Sequence, residues 1–273
     1  MKSSSALSPM PGGRAYHLNI GPKEIPDKVL LPGDPDRVSV IAGYLDTAEP
    51  ISHHREYCSM KGTYCGKDIG ICSTGIGAPS TAIAVEELAH VGASTFVRVG
   101  STGALREDIG CGDIIISSGS MRLEGTSSHY VPEGYPAFAH YETVMALIEA
   151  CEVLGARYHV GVSASTDSFY TGQGRPGYGG FIPPSKRNVV EEYSKCGILN
   201  FEMESSVIFT LASIYGLRAG CVCTVFANRI TDEFITKGED VASQVGIEAM
   251  KILCEWDEAK QAKGKDHFYC SLR

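Results

Sequence analysis

The sequence predicts a single α/β domain built around a mostly buried sheet. Three observations carry this. Short strand-type runs alternate with helix-periodic stretches from about residue 28 to residue 256. The strand runs are almost continuous in Val, Ile, Leu and Cys, as strands covered on both faces require. No internal repeat and no linker divides the chain.

Composition narrows the class. At 273 residues with 43% hydrophobic content, the chain can bury a full core. Its net charge of -8 and lack of a basic run point away from nucleic acid. An anionic ligand must therefore be held by local arginines or helix N-termini. The ten cysteines are scattered, with no CxxC pair and no Cys/His spacing suited to zinc. They read as free thiols of a reducing compartment. No apolar stretch reaches the roughly 20 residues that cross a bilayer. Met1-Lys2-Ser3-Ser4-Ser5 has no apolar core of a secretory signal. A cytoplasmic protein without membrane contact is expected.

Residues 1–14 are rich in Ser, Pro and Gly and read as a flexible tail. Lys28-Val29-Leu30-Leu31 reads as a strand entering the turn Pro32-Gly33-Asp34-Pro35-Asp36-Arg37. Asp34 can cap, Pro35 suits a first helical turn, and Val38, Ile41, Ala42 and Leu45 continue the helix. Such a turn offers N–H groups to an anion, although a plain connection is the simpler reading. Ser52 to Tyr57 opens another strand, with Arg55 isolated from other basic residues. Ile69 to Ser73 is a buried-type strand running into Thr74-Gly75-Ile76-Gly77-Ala78-Pro79-Ser80 and a helix through Ile83, Leu88 and Val91. This partly mimics a dinucleotide fingerprint, but Ser80 replaces the third glycine and no acid ends the next strand.

That next strand, Thr95 to Gly100, is interrupted by Arg98. A buried arginine must be paired or must bind an anion. Ser101, Thr102 and Gly103 follow at the strand's C-terminal end, where open α/β sheets bind ligands. Asp113 to Ser117 is a further strand, 119–139 a long loop, 141–154 an amphipathic helix and 159–164 a strand. Residues 171–187 carry five glycines and three prolines and read as a lid or a surface insertion. Asn200-Phe201-Glu202-Met203-Glu204-Ser205 joins a short strand to a helix. One acid there suits a helix dipole, whereas a Glu-Met-Glu triplet at the end of a buried strand suggests a site. Gly220 to Ala227 is the last strong strand, 239–256 a final helix, and the chain reads as fraying beyond Asp257.

Five stretches in order resemble the nucleoside phosphorylases of the first structural family, on their uridine-cleaving branch. They are Pro-Gly-Asp-Pro-Asp-Arg (32–37), Ser-Thr-Gly-Ile-Gly (73–77), Arg-Val-Gly-Ser-Thr-Gly (98–103), Ser-Thr-Asp-Ser-Phe-Tyr-x-Gly-Gln-x-Arg (165–175) and Phe-Glu-Met-Glu-Ser (201–205). The resemblance spans about residues 17–256. It implies a three-layer sandwich with a central mixed, partly barrel-like sheet flanked by helices. The domain would cover 15–257, with 1–14 and 258–273 as tails.

The implied reaction is reversible phosphorolysis of uridine to uracil and ribose 1-phosphate, with deoxyuridine and thymidine as further possible substrates. Phosphate is a co-substrate and no cofactor is required. By resemblance, Gly33, Arg37, Arg55, Arg98 and Ser101 hold phosphate. His17, Met203 and Glu204 hold the ribose, with His17 and Arg55 arriving from a neighbouring subunit. Thr102, Gly103, Phe169, Gln173, Arg175 and Phe226 surround the base. Arg98, Glu204, Gln173 and Arg175 carry the catalytic load. The family also places potassium at its dimer interface, where Glu56, Ile76 and Ser80 match, and assembles as a hexamer of three dimers. Ser101 departs from the threonine common in the family but keeps the hydroxyl.

Other readings make distinct demands. A purine-cleaving relative wants an aspartate after the last strand, where this chain reads Ala227-Asn228-Arg229-Ile230. A nucleosidase that uses water has no need of three phosphate-facing arginines. A non-catalytic nucleoside-binding or structural protein is tested by Glu204→Ala, because uridine cleavage unaffected by that change would make the site assignment wrong.

Overall fold

The computed structural model describes residues 5–272. Eleven strands form one mixed sheet. In chain order its strands are β1 (Lys28–Pro32), β2 (Thr47–His54), β3 (Tyr57–Tyr64), β4 (Lys67–Cys72), β5 (Thr95–Ala104), β6 (Ile114–Leu123), β7 (Ala137–Phe138), β8 (Tyr158–Thr166), β9 (Asn200–Glu202), β10 (Arg218–Asn228) and β11 (Glu233–Phe234). The helices are α1 (Pro35–Ala42), α2 (Ala78–Val91), α3 (Tyr141–Leu154), α4 (Val189–Lys195), α5 (Ser205–Ile214) and α6 (Glu239–Lys263).

Strand β5 organises the sheet. One edge pairs in parallel with β10 along its whole length. The other edge pairs first with β1, from Thr95 to Val99, and then with β9, at Gly103 and Ala104. The ring β5–β10–β6–β8–β9 thereby closes into a five-strand barrel, and β1, β4, β3 and β2 continue as an open wing. Between Val99 and Gly103, β1 and β9 have parted, and a mouth opens beside β5. This is a switch point of the kind where α/β sheets hold ligands.

Alternation along β5 decides what faces where. Phe96 joins a core with Val85, Leu88 and Phe209 under α2 and α5. Val97 and Val99 join the opposite core, with Ile252, Leu253 and Trp256 of α6. Arg98 is two residues from Phe96, so its side chain is committed to the α2 and α5 face.

The structure differs from the expectations in three places. Residues 52–57 are not one strand: β2 and β3 form a hairpin turning at Arg55 and Glu56. Arg55 takes the left-handed conformation there (φ +57), without the Gly or Asn that would have signalled a turn. The 119–139 loop is shorter than expected, because β6 runs on to Leu123, with the hydroxyls of Ser117 and Ser120 bonded to those of Ser163 and Ser165 on β8. The C-terminus does not fray at Asp257. Helix α6 continues to Lys263, Phe268 stacks on Trp256 at 3.9 Å, and Leu272 is buried. At the other end, Arg14 is clamped by Glu24 at 2.5 and 2.6 Å, while residues 1–4 lie outside the described residues.

A buried carboxylate holds the C-terminal segment. Glu142 accepts from Lys260 Nζ (2.8 Å), Arg218 Nη1 (2.9 Å) and the Phe268 N–H (3.0 Å). Burial alone would raise its pKa, but Lys260, the Phe268 N–H and Arg218 outweigh it and hold it at about 2. The folded-state pKa is therefore below the ordinary 4.5. Its stabilisation is complete above pH 4.5 and is lost as pH falls towards 2, by on the order of 3 kcal/mol. Urea unfolding at a series of pH values should show this acid loss, and Glu142→Gln should make it smaller.

Candidate active site

The mouth beside β5 opens a cavity of about 810 Å³. Its lining comes mainly from places where a strand passes into a turn. The β1–α1 turn gives Gly33, Asp34 and Arg37, and the β4–α2 turn gives Gly75 and Ile76. The end of β5 gives Arg98, Ser101, Thr102 and Gly103, and the β9–α5 junction gives Glu202, Met203 and Glu204. The loop after β8 adds Phe169, Gln173 and Arg175, and β10 adds Phe226. Most of the residues singled out from the sequence are thus brought together.

One end of the cavity carries the arginines Arg37 and Arg98. Helix α1 starts as predicted, with Asp34 capping the Asp36 N–H at 2.9 Å and Pro35 in the first turn. Gly33 lies so close to the Gly75 carbonyl that an added Cβ would sit 3.3 Å from it. Arg98 is buried between two carboxylates: Nε meets Glu202 at 3.1 Å and Nη2 meets Glu204 at 2.6 Å. Burial would lower its pKa, but Glu204 and Glu202 outweigh that and keep it charged. Arg37 pairs with Glu239, the first residue of α6.

Glu204 lines the cavity next to Arg98. Its Oε1 accepts the Gly77 N–H at 2.6 Å while Oε2 holds Arg98. Gly77 has φ +90, which frees its N–H at the head of α2. Burial pushes the Glu204 carboxyl above the ordinary 4.5, against the pull of Arg98.

The far end is a planar hydrogen-bonding edge against an aromatic ring. The Arg175 guanidinium lies 4.1 Å from the centre of the Phe169 ring and donates to Phe169 O at 2.8 Å and Gln173 Oε1 at 2.5 Å. Gln173 Nε2 donates to Thr166 Oγ1 at 3.1 Å. Burial lowers Arg175 to about 10, with repulsion from Arg229 adding to it, so it remains cationic at neutral pH. Thr102 lines the cavity, but its hydroxyl donates to Phe201 O (2.6 Å) and accepts from Asn200 (2.7 Å).

Three expected residues lie elsewhere in this chain. His17 pairs with Glu87 at 2.6 Å and lines a separate groove with Met10, Ile83 and Tyr130. Arg55 is exposed at the β2–β3 turn. Ser80 bonds back to Ile76 O at 3.2 Å on α2. Three residues were missed. Glu202 holds Arg98, Glu239 holds Arg37, and Arg229 supports Gln173 through its carbonyl at 2.9 Å. Arg229 had a usable signal, a charge directly after a buried strand. Glu239 had no such signal, standing at the start of the final helix.

The cavity therefore suits a three-part ligand: an anion at the arginines, hydroxyls at Glu204, and a flat amide-bearing ring at Gln173, Arg175 and Phe169. The pattern of the phosphorylase superfamily matches residues 27–255. The chain belongs to the phosphorylase superfamily. A uridine phosphorylase of Thermococcus kodakarensis is 54% identical over 261 residues, covering 96% of this chain and 94% of that one. A uridine phosphorylase of Escherichia coli is 41% identical over 243 residues, covering 88% and 95%. A guanosine phosphorylase of Halorubrum lacusprofundi is 38% identical over 224 residues, covering 82% and 87%. Phosphorylase-superfamily members thus include both base classes, so the base-facing residues must decide between them. Among the described residues the cavity's acids are Asp34, Glu56, Glu202 and Glu204, with none from the segment after β10. Asn228 there is occupied by the Arg106 and Ile109 carbonyls, both at 2.8 Å.

Proposed function

We propose that this chain is a uridine phosphorylase, a pentosyltransferase that converts uridine and phosphate reversibly to uracil and ribose 1-phosphate. The observation that carries this reading is the Gln173–Arg175 pair on Phe169, at the opposite end of the cavity from Arg98. Gln173 offers an acceptor to N3–H and a donor to a uracil carbonyl, and Arg175 offers further donors.

In the reaction, a phosphate oxygen bonds to ribose C1′ as the C1′–N1 bond breaks, and the bonding pair leaves on the uracil. Charge spreads to the uracil oxygens, where Arg175 and Gln173 stabilise it. Phosphate, held by Arg98, Arg37, Ser101 and the Gly33 N–H, stabilises the cationic sugar. Glu204 accepts from the ribose hydroxyls and adds negative field beside the ring. Met203 packs against the sugar, and Thr102, Gly103 and Phe226 enclose the base.

His17 and Arg55 complete the site from a second copy, since each lies away from the cavity of its own chain. The enzyme then works as a homo-oligomer, a hexamer of three dimers. Light scattering should give a multiple of 29.2 kDa. Potassium would sit near Gly75, where Glu56, Ser80 and the Ile76 carbonyl lie close together. A Cβ built there would lie 2.9 Å from Glu56 Cγ and 3.2 Å from Ser80 Oγ, and Ser80 is 3.2 Å from Ile76 O. Such hard oxygen ligands suit a monovalent cation between subunits. All ten cysteines are free, which supports a cytoplasmic setting, and no helix among the described residues is long and apolar enough to cross a membrane.

Uridine and inosine should be incubated in parallel with phosphate and followed by ultraviolet absorbance. Consumption of uridine is expected. Preferential loss of inosine would overturn the base assignment.

A further inference from the structure

Glu202 is the member of the Glu202-Met203-Glu204 triplet that the proposed chemistry leaves unused. Its side chain is fully buried (0% exposed) and saturated. Oε2 accepts from Arg98 Nε (3.1 Å), the Glu204 N–H (2.8 Å) and the Ser205 N–H (2.7 Å). Oε1 accepts from Ser205 Oγ (2.6 Å) and from Ser165 Oγ. Five donors meet the roughly four lone-pair sites of one carboxylate, so no capacity remains for substrate.

The two carboxylates on Arg98 are thus unequal. Glu202 is fixed by two backbone N–H groups and two hydroxyls from separate elements. Glu204 is held, besides Arg98, by backbone N–H groups alone, those of Gly77 and Met203, with no side-chain hydroxyl on it. We propose that Glu202 is a positioning residue that clamps Arg98 by its Nε edge and sets the Glu204 backbone, so that phosphate takes over the Nη2 edge and releases Glu204 to the ribose. This rests on the uridine phosphorylase reading of the cavity. It makes the Arg98–Glu204 contact an exchangeable pair. Arrival of phosphate then prepares the nucleoside site, and the two substrates favour each other's binding.

Two variants separate geometry from charge. Glu202→Gln keeps the reach and loses the charge. Its amide oxygen can serve the three N–H donors at the Oε2 position, which cannot turn away. Its NH2 can face the two serine hydroxyls, which can rotate. Glu202→Asp keeps the charge but draws the carboxylate back by about 1.5 Å, out of reach of Arg98 Nε.

The full-length enzyme should be assayed with phosphate and uridine varied independently, with melting temperature followed in parallel. Glu202→Asp is expected to raise KM for phosphate about tenfold or more, and Glu202→Gln to stay within about threefold of the parent. The opposite order would assign Glu202 a charge role and overturn the proposal. Lowered melting temperature in both variants with unchanged KM for phosphate would leave only a structural role, and would also overturn it. Calorimetric titration of inorganic phosphate into the same variants should show the same order of affinities. That arm stands even if the parent enzyme does not cleave uridine, a result that would defeat the functional reading alone.

Discussion

Glu204→Ala is expected to lower kcat/KM for uridine by about 10³-fold while the protein remains folded. Glu204 lines the cavity that Arg98, Gln173 and Arg175 also line, and it sits directly on Arg98. Each hydrogen bond from a ribose hydroxyl to a charged acceptor contributes about 1.5–3 kcal/mol, and losing two costs on the order of 4 kcal/mol. The fold should tolerate the change because Arg98 keeps Glu202 as a partner. Initial rates together with melting temperature check this, and a rate within about threefold of the parent would sink the assignment. The pH profile is a second check. Burial raises the Glu204 carboxyl above 4.5, so on acidification it protonates earlier than an ordinary glutamate. The acid limb of kcat/KM should therefore begin above the usual carboxylate range, and should be lost with Glu204.

Arg175→Ala is expected to cost about 10²–10³ in kcat, with a smaller change in KM for phosphate. The negative charge it answers appears on the base only as the glycosidic bond breaks, so its contribution is larger in the transition state than in the ground state. Arg175→Lys should not rescue much. The guanidinium lies on Phe169 and donates to both Phe169 O and Gln173 Oε1, a planar arrangement that an ammonium cannot reproduce. Steady-state kinetics with uridine would check both variants. An unchanged kcat in Arg175→Ala would remove this residue from base recognition.

How far the sequence revealed the site depended on local contrast. Arg98 was legible because a charge stands alone in the apolar run Phe96-Val97-Arg98-Val99. The β1–α1 turn was legible because Pro, Gly and Asp state their own geometry, and the Asp34 cap follows from them. The strand–helix alternation yielded an α/β domain, and the resemblance added the mixed, partly barrel-like sheet, which β5 closes by changing partner from β1 to β9. That change of partner leaves no local mark, since it depends on where distant strands end.

Other features were hidden for the same physical reason. The Arg55 turn uses a left-handed arginine in place of a glycine. The C-terminal segment looked polar because its anchors, Phe268 and Leu272, are sparse, and its main tether is Glu142, more than a hundred residues away. Glu239 did not stand out at all, and Glu202 stood out only as part of the Glu-Met-Glu triplet, with no role of its own. Only their partners, Arg37 and Arg98, give them meaning. Ion pairs between distant elements have no sequence period, and a charged residue alone does not name its counterion.

The central claim is that the arginine end of the cavity holds the attacking nucleophile. The most direct measurement is the ultraviolet absorbance of uridine with enzyme, in the presence and absence of inorganic phosphate. The account predicts loss of uridine only when phosphate is present. Cleavage at the same rate without phosphate would mean that water is the nucleophile and that Arg98 and Arg37 serve some other purpose.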